Sequence, residues 1–233
     1  VCLGPPAQRS ALLLRALIGT LAILTATSGA LATDRPRAFL ELFTSQGCSS
    51  CPAADALLGE LDGEDGILAV TMPVSLWDFL GWVDTLATEV ATKRQVAYSV
   101  SRGDREIYTP QMVVNGNEHV LGSDLAAIKA TIAEVAPKTL PLPIELSLAN
   151  DVLSIDVGEA EITGKATLWL MVVEEEVSVP VAGGENRGRR LTYHNVVRHM
   201  RPVGMWKGGA MSLDLPLSDL EKQSNSGCYV IAQ

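Results

Sequence analysis

The stretch "TSQGCSSCPAADALL", Thr44–Leu58, decides the predicted fold because it joins an apolar run to a helical pattern through two cysteines. The run before it, residues 37–44, is apolar on both faces, which is typical of a strand inside a covered sheet. After the second cysteine, leucines and alanines recur at helical spacing, and Pro52 suits the first turn of a helix. Cys48 and Cys51 therefore lie between a predicted strand and a predicted helix.

The first half of the chain continues this alternation. Residues 67–72 form a second apolar run, and the short connections predict that the first two strands are parallel. Residues 84–102 show a helical pattern, and residues 110–121 read as a hairpin because Asn115–Gly116 is a strong two-residue turn signal. Ser123 is expected to cap a last helix. The predicted order is strand, helix, strand, helix, strand, strand, helix, complete by residue 136.

The second half reads differently. "PKTLPLP", residues 137–143, is a proline-rich joint of the kind found at domain boundaries. Beyond it we find six short strand patterns with turn signals and no helical period, which predicts a small β-sandwich.

The amino-terminal segment has the pattern of a secretory signal peptide. Its apolar run begins near Arg9 and Arg15 and ends in small residues, so we expect cleavage after Ala32 and export to the periplasm or beyond. An uncleaved anchor helix is the alternative. Cleavage removes these two arginines, so 16 of the 18 basic residues remain against 27 acidic ones. This acidity argues against nucleic acid as a partner, and we expect membrane contact only through the signal peptide.

The two cysteines leave three interpretations open: a redox pair, a structural disulfide, or half of a metal site. A cysteine just before a helix meets free backbone N–H groups and the positive end of the helix dipole, which favour the thiolate. Cys48 is then the nucleophile, and Cys51 is the resolving thiol. A closed zinc site needs four ligands, and His194 and His199 are five apart on one predicted strand, so no metal site is predicted.

Two further features are expected near the cysteines. Pro110 precedes a strand that must donate hydrogen bonds, so a cis Thr109–Pro110 bond is predicted, presenting a backbone edge to an extended substrate. Trp77, Phe79 and Trp82 follow the second strand as an aromatic cluster and are candidates for an apolar docking surface. The alternative is that these aromatic residues are packed between domains. The arginines of "GENRGRR" are expected to lie on a solvated hairpin tip.

The sequence resembles the exported domain-of-unknown-function family 1223. The phrases that carry the resemblance are "ELFTSQGCSSCPAADALL", "WDFLGW", "YTPQMVVNG", "GSD" and "GENRGRRLTYHNVVR". With the predicted element order, it implies an α/β thioredoxin-like domain over 33–137 and a small all-β sandwich over 138–233, after a signal peptide over 1–32. The resemblance also leads us to expect a His and an Asp before "WDFLGW", where residues 73–76 read Pro-Val-Ser-Leu. It implies no particular reaction.

The function predicted is that of an exported thiol–disulfide oxidoreductase. Its site comprises Cys48, Cys51 and Pro110 for the exchange, with Thr109, Trp77 and Trp82 for substrate binding. Exported protein thiols or disulfides and a redox partner protein are the expected partners, and no cofactor is expected. The alternatives are a non-enzymatic binding module with a static disulfide and a copper carrier that uses the two thiolates.

Overall fold

The structure is a computed structural model, and it describes residues 36–136, 142–161, 164–220 and 226–233. The predicted signal peptide, residues 1–32, lies outside the described residues, and so does the predicted domain boundary after residue 137. Both stay predictions.

The described residues form ten β-strands and three α-helices. In chain order these are β1 (Ala38–Thr44), α1 (Cys51–Asp62), β2 (Ile67–Pro73), α2 (Glu89–Arg102), β3 (Gln111–Val114), β4 (Glu118–Leu121), α3 (Leu125–Val135), β5 (Ile144–Ala149), β6 (Val152–Val157), β7 (Ala166–Pro180), β8 (Arg190–Trp206), β9 (Met211–Pro216) and β10 (Ser226–Ala232).

Local sequence explains where the helices begin. Helix α2 begins later than its apolar pattern suggested, because the Thr88 side chain accepts a hydrogen bond from the backbone N–H of Ala91 and caps it there. Helix α3 is capped by Asp124 rather than by Ser123, through the N–H of Ala127. Gly103 follows α2 in the left-handed conformation that suits glycine after a helix.

Seven strands form one mixed sheet in the order β10-β7-β8-β2-β1-β3-β4, and β5-β6-β9 form a second, three-stranded sheet. Strands β1 and β2 are parallel, as predicted. Strand β8 adds to the outer edge of β2 in parallel, where Thr71 lies opposite Val196. The Thr71 hydroxyl strengthens this junction by donating a hydrogen bond to the carbonyl of His194 at 2.6 Å.

The predicted fold class, an α/β thioredoxin-like domain followed by a small all-β sandwich, is wrong. Strands β7, β8 and β10 come from the second half of the chain, yet they continue the sheet of β1–β4. These strands are long, since β7 has 15 residues and β8 has 17, and side chains of both also pack against the three-stranded sheet. The sequence pattern located the strands but not the pairing that joins the two halves.

The apolar core follows the two faces of this seven-stranded sheet. One face of β1, β2 and β3 is covered by α1 and α3, with Leu40, Leu58 and Ile128 fully buried between them. The opposite face carries Phe43 and Met72 together with residues of α2, β7, β8 and β10. The three-stranded sheet packs against a further part of β7, β8 and β10 in a third cluster. Among the described residues, no helix is both long enough and apolar enough to cross a membrane.

Candidate functional site

Cys48 and Cys51 form a disulfide in the turn between β1 and α1, with their Cα atoms 5.4 Å apart. Cys51 is the first residue of α1, so Cys48 lies three residues before the helix rather than at its start. Backbone hydrogen bonds from Cys48 N to Ser45 O and from Cys51 N to Cys48 O hold the turn. Pro52 occupies the first turn of α1, where a missing N–H costs no hydrogen bond.

The disulfide is inaccessible on one side and bordered by solvent on the other. Cys51 is completely buried, and Cys48 is 3% exposed. Ser49 and Ser50, between them, are both exposed. The Ser50 hydroxyl lies 3.3 Å from the Cys48 sulfur. Since a disulfide sulfur carries no proton, the hydroxyl is the donor in this contact. A group approaching from solvent therefore meets Cys48 before Cys51.

The segment before β3 lies against the same sulfur. The Thr109–Pro110 bond is cis, and the Thr109 carbonyl oxygen lies 3.7 Å from the Cys48 sulfur. The indole N–H of Trp77 donates to the Thr109 hydroxyl at 2.6 Å. The exposed ring of Phe79 lies 6.0 Å from the Trp77 ring. Of the predicted site residues, Thr109 thus lies against the Cys48 sulfur, Pro110 follows it in the chain, and Trp77 contacts Thr109.

Trp82 contacts the cysteine turn through Gln46. Its indole N–H donates to the Gln46 side-chain carbonyl at 2.7 Å. The Gln46 backbone N–H in turn donates to the buried carboxylate of Asp84, also at 2.7 Å. Trp82 therefore supports the turn from its flank, a position that the sequence prediction of a docking surface did not specify.

The connection between β7 and β8, residues 181–189, is here called the hairpin tip, and it lies on the cysteine turn. Asn186 is fully buried, and its amide donates to the carbonyls of Gln46 at 3.0 Å and Cys48 at 2.8 Å. The Glu185 carboxylate accepts a hydrogen bond from the Ser49 backbone N–H at 3.0 Å. The arginines of "GENRGRR" are exposed, as expected, but the buried contact that Asn186 makes with the turn was not predicted from the sequence.

Asp55 is a buried acid one helical turn after Cys51, on the same face of α1. Burial raises its pKa to about 8; the nearby Thr44 hydroxyl opposes this rise, and the charge of Asp84 adds to it. Neither carboxyl oxygen has a hydrogen-bond partner within normal distance among the described residues, and the same holds for the Tyr193 hydroxyl. The sequence signal for this residue was a single acid on the apolar face of α1, between Ala54 and Leu58.

Asp84 is the second buried acid near the turn. It accepts hydrogen bonds from the backbone N–H groups of Gln46, Leu86 and Ala87. Burial raises its pKa, and these three hydrogen bonds only partly offset that effect. Among the described residues, no group of three or more His, Cys, Asp or Glu side chains is placed to hold a metal ion.

Comparisons with known proteins identify the family of this chain. Residues 39–233 match the family model described as protein of unknown function (DUF1223). A protein from Agrobacterium tumefaciens with a crystal structure is 33% identical to this chain in sequence. The two structures match with a TM-score of 0.76 over 85% of this chain and 86% of that one. HBP35 of Porphyromonas gingivalis is similar in fold, with 15% identity and a TM-score of 0.58 over 85% of this chain and 69% of that one. A comparison with curated proteins finds no match. The chain belongs to the DUF1223 family, whose function is unknown.

Proposed function

We propose that this protein is an exported thiol–disulfide oxidoreductase that exchanges its Cys48–Cys51 disulfide with the thiols or disulfides of other exported proteins. The observation that carries the proposal is the position of the disulfide. It lies in a turn before a helix, with the Cys48 side next to exposed serines and to the Thr109 carbonyl. No cofactor is required, because the cysteine pair itself carries two electrons.

The exchange proceeds in two substitutions at sulfur. In the reduced protein the Cys48 thiolate attacks one sulfur of a substrate disulfide, and the other substrate sulfur leaves as a thiolate and takes up a proton. The Cys51 thiolate then attacks the Cys48 sulfur of the mixed disulfide. This step forms the Cys48–Cys51 bond and releases the second substrate thiolate. Two electrons pass from the protein to the substrate, and the reverse sequence oxidises a substrate dithiol.

The burial of the two cysteines supports the proposed roles. A substrate sulfur cannot reach Cys51 while it is completely buried, so Cys48 makes the first bond. An extended substrate segment lies along Thr109 and Pro110, next to Trp77, with Trp82 supporting the turn. A separate redox partner protein restores the starting state of the pair.

Asp55 is suited to exchange a proton with Cys51. Because Cys51 is buried, water does not readily take the proton that its thiol must lose before the second attack. Asp55 lies four residues later on the same helix face, with a pKa raised to about 8. That value is much closer to the ordinary thiol pKa of about 8.5 than the pKa of an exposed carboxyl is, so Asp55 is better matched than an exposed acid to exchange a proton with a thiol.

The test is a redox titration of the exported chain, residues 33–233, in graded glutathione buffers with trapping of free thiols. We expect a reduction potential of roughly −270 to −120 mV for the Cys48–Cys51 pair. As a control of roles, C51S should accumulate mixed disulfides with a substrate peptide, whereas C48S should not. A pair that stays oxidised in the most reducing buffer, below about −300 mV, would instead support the static-disulfide binding module. Retention of Cu(I) by the reduced pair against a chelator, without exchange, would support the copper carrier.

A further inference from the structure

We propose that Glu185 on the hairpin tip sets the redox balance of the cysteine pair, by holding a negative charge beside Cys48 that favours the disulfide over the reduced form. This inference rests on the proposed function and assigns a tuning role to a residue outside the cysteine motif. Glu185 is a positioning residue here, because its contact is with Ser49 and not with a reacting sulfur.

Buried contacts fix the place of the hairpin tip. The Asn186 amide donates to two carbonyls of the cysteine turn, and its own carbonyl accepts from the Arg189 guanidinium at 2.8 Å. The backbone of the tip also packs closely, since a Cβ atom at Gly183 would lie 2.7 Å from the Gly81 carbonyl oxygen. At Gly184 a Cβ atom would lie 3.3 Å from the Trp82 Cβ. The tip therefore has little freedom to withdraw the Glu185 carboxylate from Ser49.

The Glu185 side chain itself is exposed and charged. Hydrogen bonds from Ser49 lower its pKa, so it is an anion at neutral pH. The Glu185 carboxylate accepts its hydrogen bond from the backbone N–H of Ser49, the residue directly after Cys48. In the reduced protein, the backbone N–H groups before α1, including that of Ser49, would stabilise the Cys48 thiolate. Glu185 occupies one of these donors and repels the thiolate.

The consequence for the redox equilibrium has a definite sign. Reduction of the pair consumes two electrons and, when Cys48 ends as a thiolate, one proton. A negative charge at Glu185 makes that product less stable and leaves the uncharged disulfide unaffected. The pair is then harder to reduce, so Glu185 makes the protein a weaker oxidant. The effect requires the thiolate and should disappear at a pH where the Cys48 thiol is protonated.

The experiment compares the exported chain with E185Q and with E145Q. Gln at position 185 keeps the shape and the acceptor oxygen for Ser49 but removes the charge. Glu145 lies exposed on β5 of the three-stranded sheet, so E145Q makes the same change in net charge away from the cysteines. The other charged groups around the turn, Asp55, Asp84 and Arg189, are the same in all three proteins.

We expect E185Q to shift the equilibrium with glutathione about three- to tenfold toward the reduced form, because an exposed charge is screened by solvent. In E185Q, Cys48 should also react with iodoacetamide at a lower pH than it does in the parent, and E145Q should behave as the parent. High salt should reduce the difference in redox equilibrium between the parent and E185Q, since the Debye length falls to about 3 Å at 1 M. A loss of packing alone would not respond to salt in this way.

Two other results would overturn the inference, and they are distinguishable. If the parent pair is reducible but E185Q matches E145Q or shifts in the opposite direction, the tuning role is wrong and the proposed function stands. If the pair cannot be reduced in the parent and in both variants, the proposed function fails and the tuning role fails with it.

Discussion

At the scale of single residues, the site combines an exposed entrance with buried acids. Ser50 lies at the surface beside the Cys48 sulfur, whereas Asp55 and Asp84 are almost completely buried around the turn. Burial raises the pKa of both acids. Asp55 has no hydrogen-bond partner within normal distance among the described residues, so it favours its neutral form and holds a proton that the unfolded chain would release.

Asp55 should make stability depend on pH. Its pKa is raised from an ordinary 3.8 to about 8 on folding. Between these values the unfolded chain loses the proton and the folded chain keeps it, so stability falls as pH rises from about 4 to 8. Asp55→Asn should therefore stabilise the protein by about 2 to 5 kcal/mol at pH 8 and by much less at pH 4.

Urea unfolding of the parent and of D55N across this pH range measures the effect. The variant loses no hydrogen bond, because Asp55 makes none within the described residues. Asp84 is present in both proteins, so its contribution cancels in the difference apart from its coupling to Asp55. Parallel stability profiles for the two proteins would show that Asp55 is ionised in the folded state at neutral pH.

At the scale of elements, strand β1 is the centre of the site's support. All seven of its residues are buried, and Glu41 in its middle is an acid on a strand otherwise suited to a core. The Arg94 guanidinium on α2 donates to both Glu41 carboxylate oxygens, at 2.6 and 3.2 Å. The Tyr98 hydroxyl, one turn further along α2, donates to Glu41 as well. This buried network attaches α2 to the sheet.

Removing one partner of this network should be costly. Arg94→Met leaves the Glu41 carboxylate buried without its cation, and we expect a loss of roughly 3 to 5 kcal/mol in the free energy of unfolding. The double variant E41Q/R94M should recover much of that loss, because Gln is neutral and still accepts from Tyr98. Denaturant midpoints at constant m-value give the comparison. If the double variant is no more stable than R94M, the loss came from the Arg94 packing rather than from the unpaired charge.

At the scale of the whole molecule, the two halves of the chain share one core. Phe39, Phe43 and Met72 from the first half pack with Met171 and Tyr229 from the second. Strand β8 also covers the edge of β2 and lies next to α1, where His194 would touch any side chain placed at Gly59. The first half by itself would expose this apolar face and an open strand edge.

A fragment ending at residue 137 should therefore fail to fold. We expect residues 33–137 to show no cooperative thermal unfolding and to bind a hydrophobic dye, while the chain of residues 33–233 unfolds in a single transition. Near-ultraviolet circular dichroism and calorimetry of both proteins provide the measurement. A cooperative transition in the fragment would contradict the shared core and restore the prediction of independent domains.

The local elements were the predictable part of this protein. The strand of residues 67–72, the helix beginning at Cys51 and the hairpin around Asn115 are present as predicted, because caps, turn residues and apolar spacing act over a few neighbouring positions. The neighbourhood of Cys48, Thr109 and Trp77 was also expected, since each follows or precedes a predicted strand end.

The sequence by itself thus determined the strands and helices and the cysteine motif between β1 and α1. Only the tertiary structure decided that β8 joins β2, through residues such as Thr71 and His194 that lie 123 positions apart. It also decided that the hairpin tip lies on the Cys48 turn and that Asp55 is buried with no hydrogen-bond partner within normal distance among the described residues. Pairing between distant strands depends on how whole surfaces fit together and on the water they exclude, and no local pattern of residues encodes that choice.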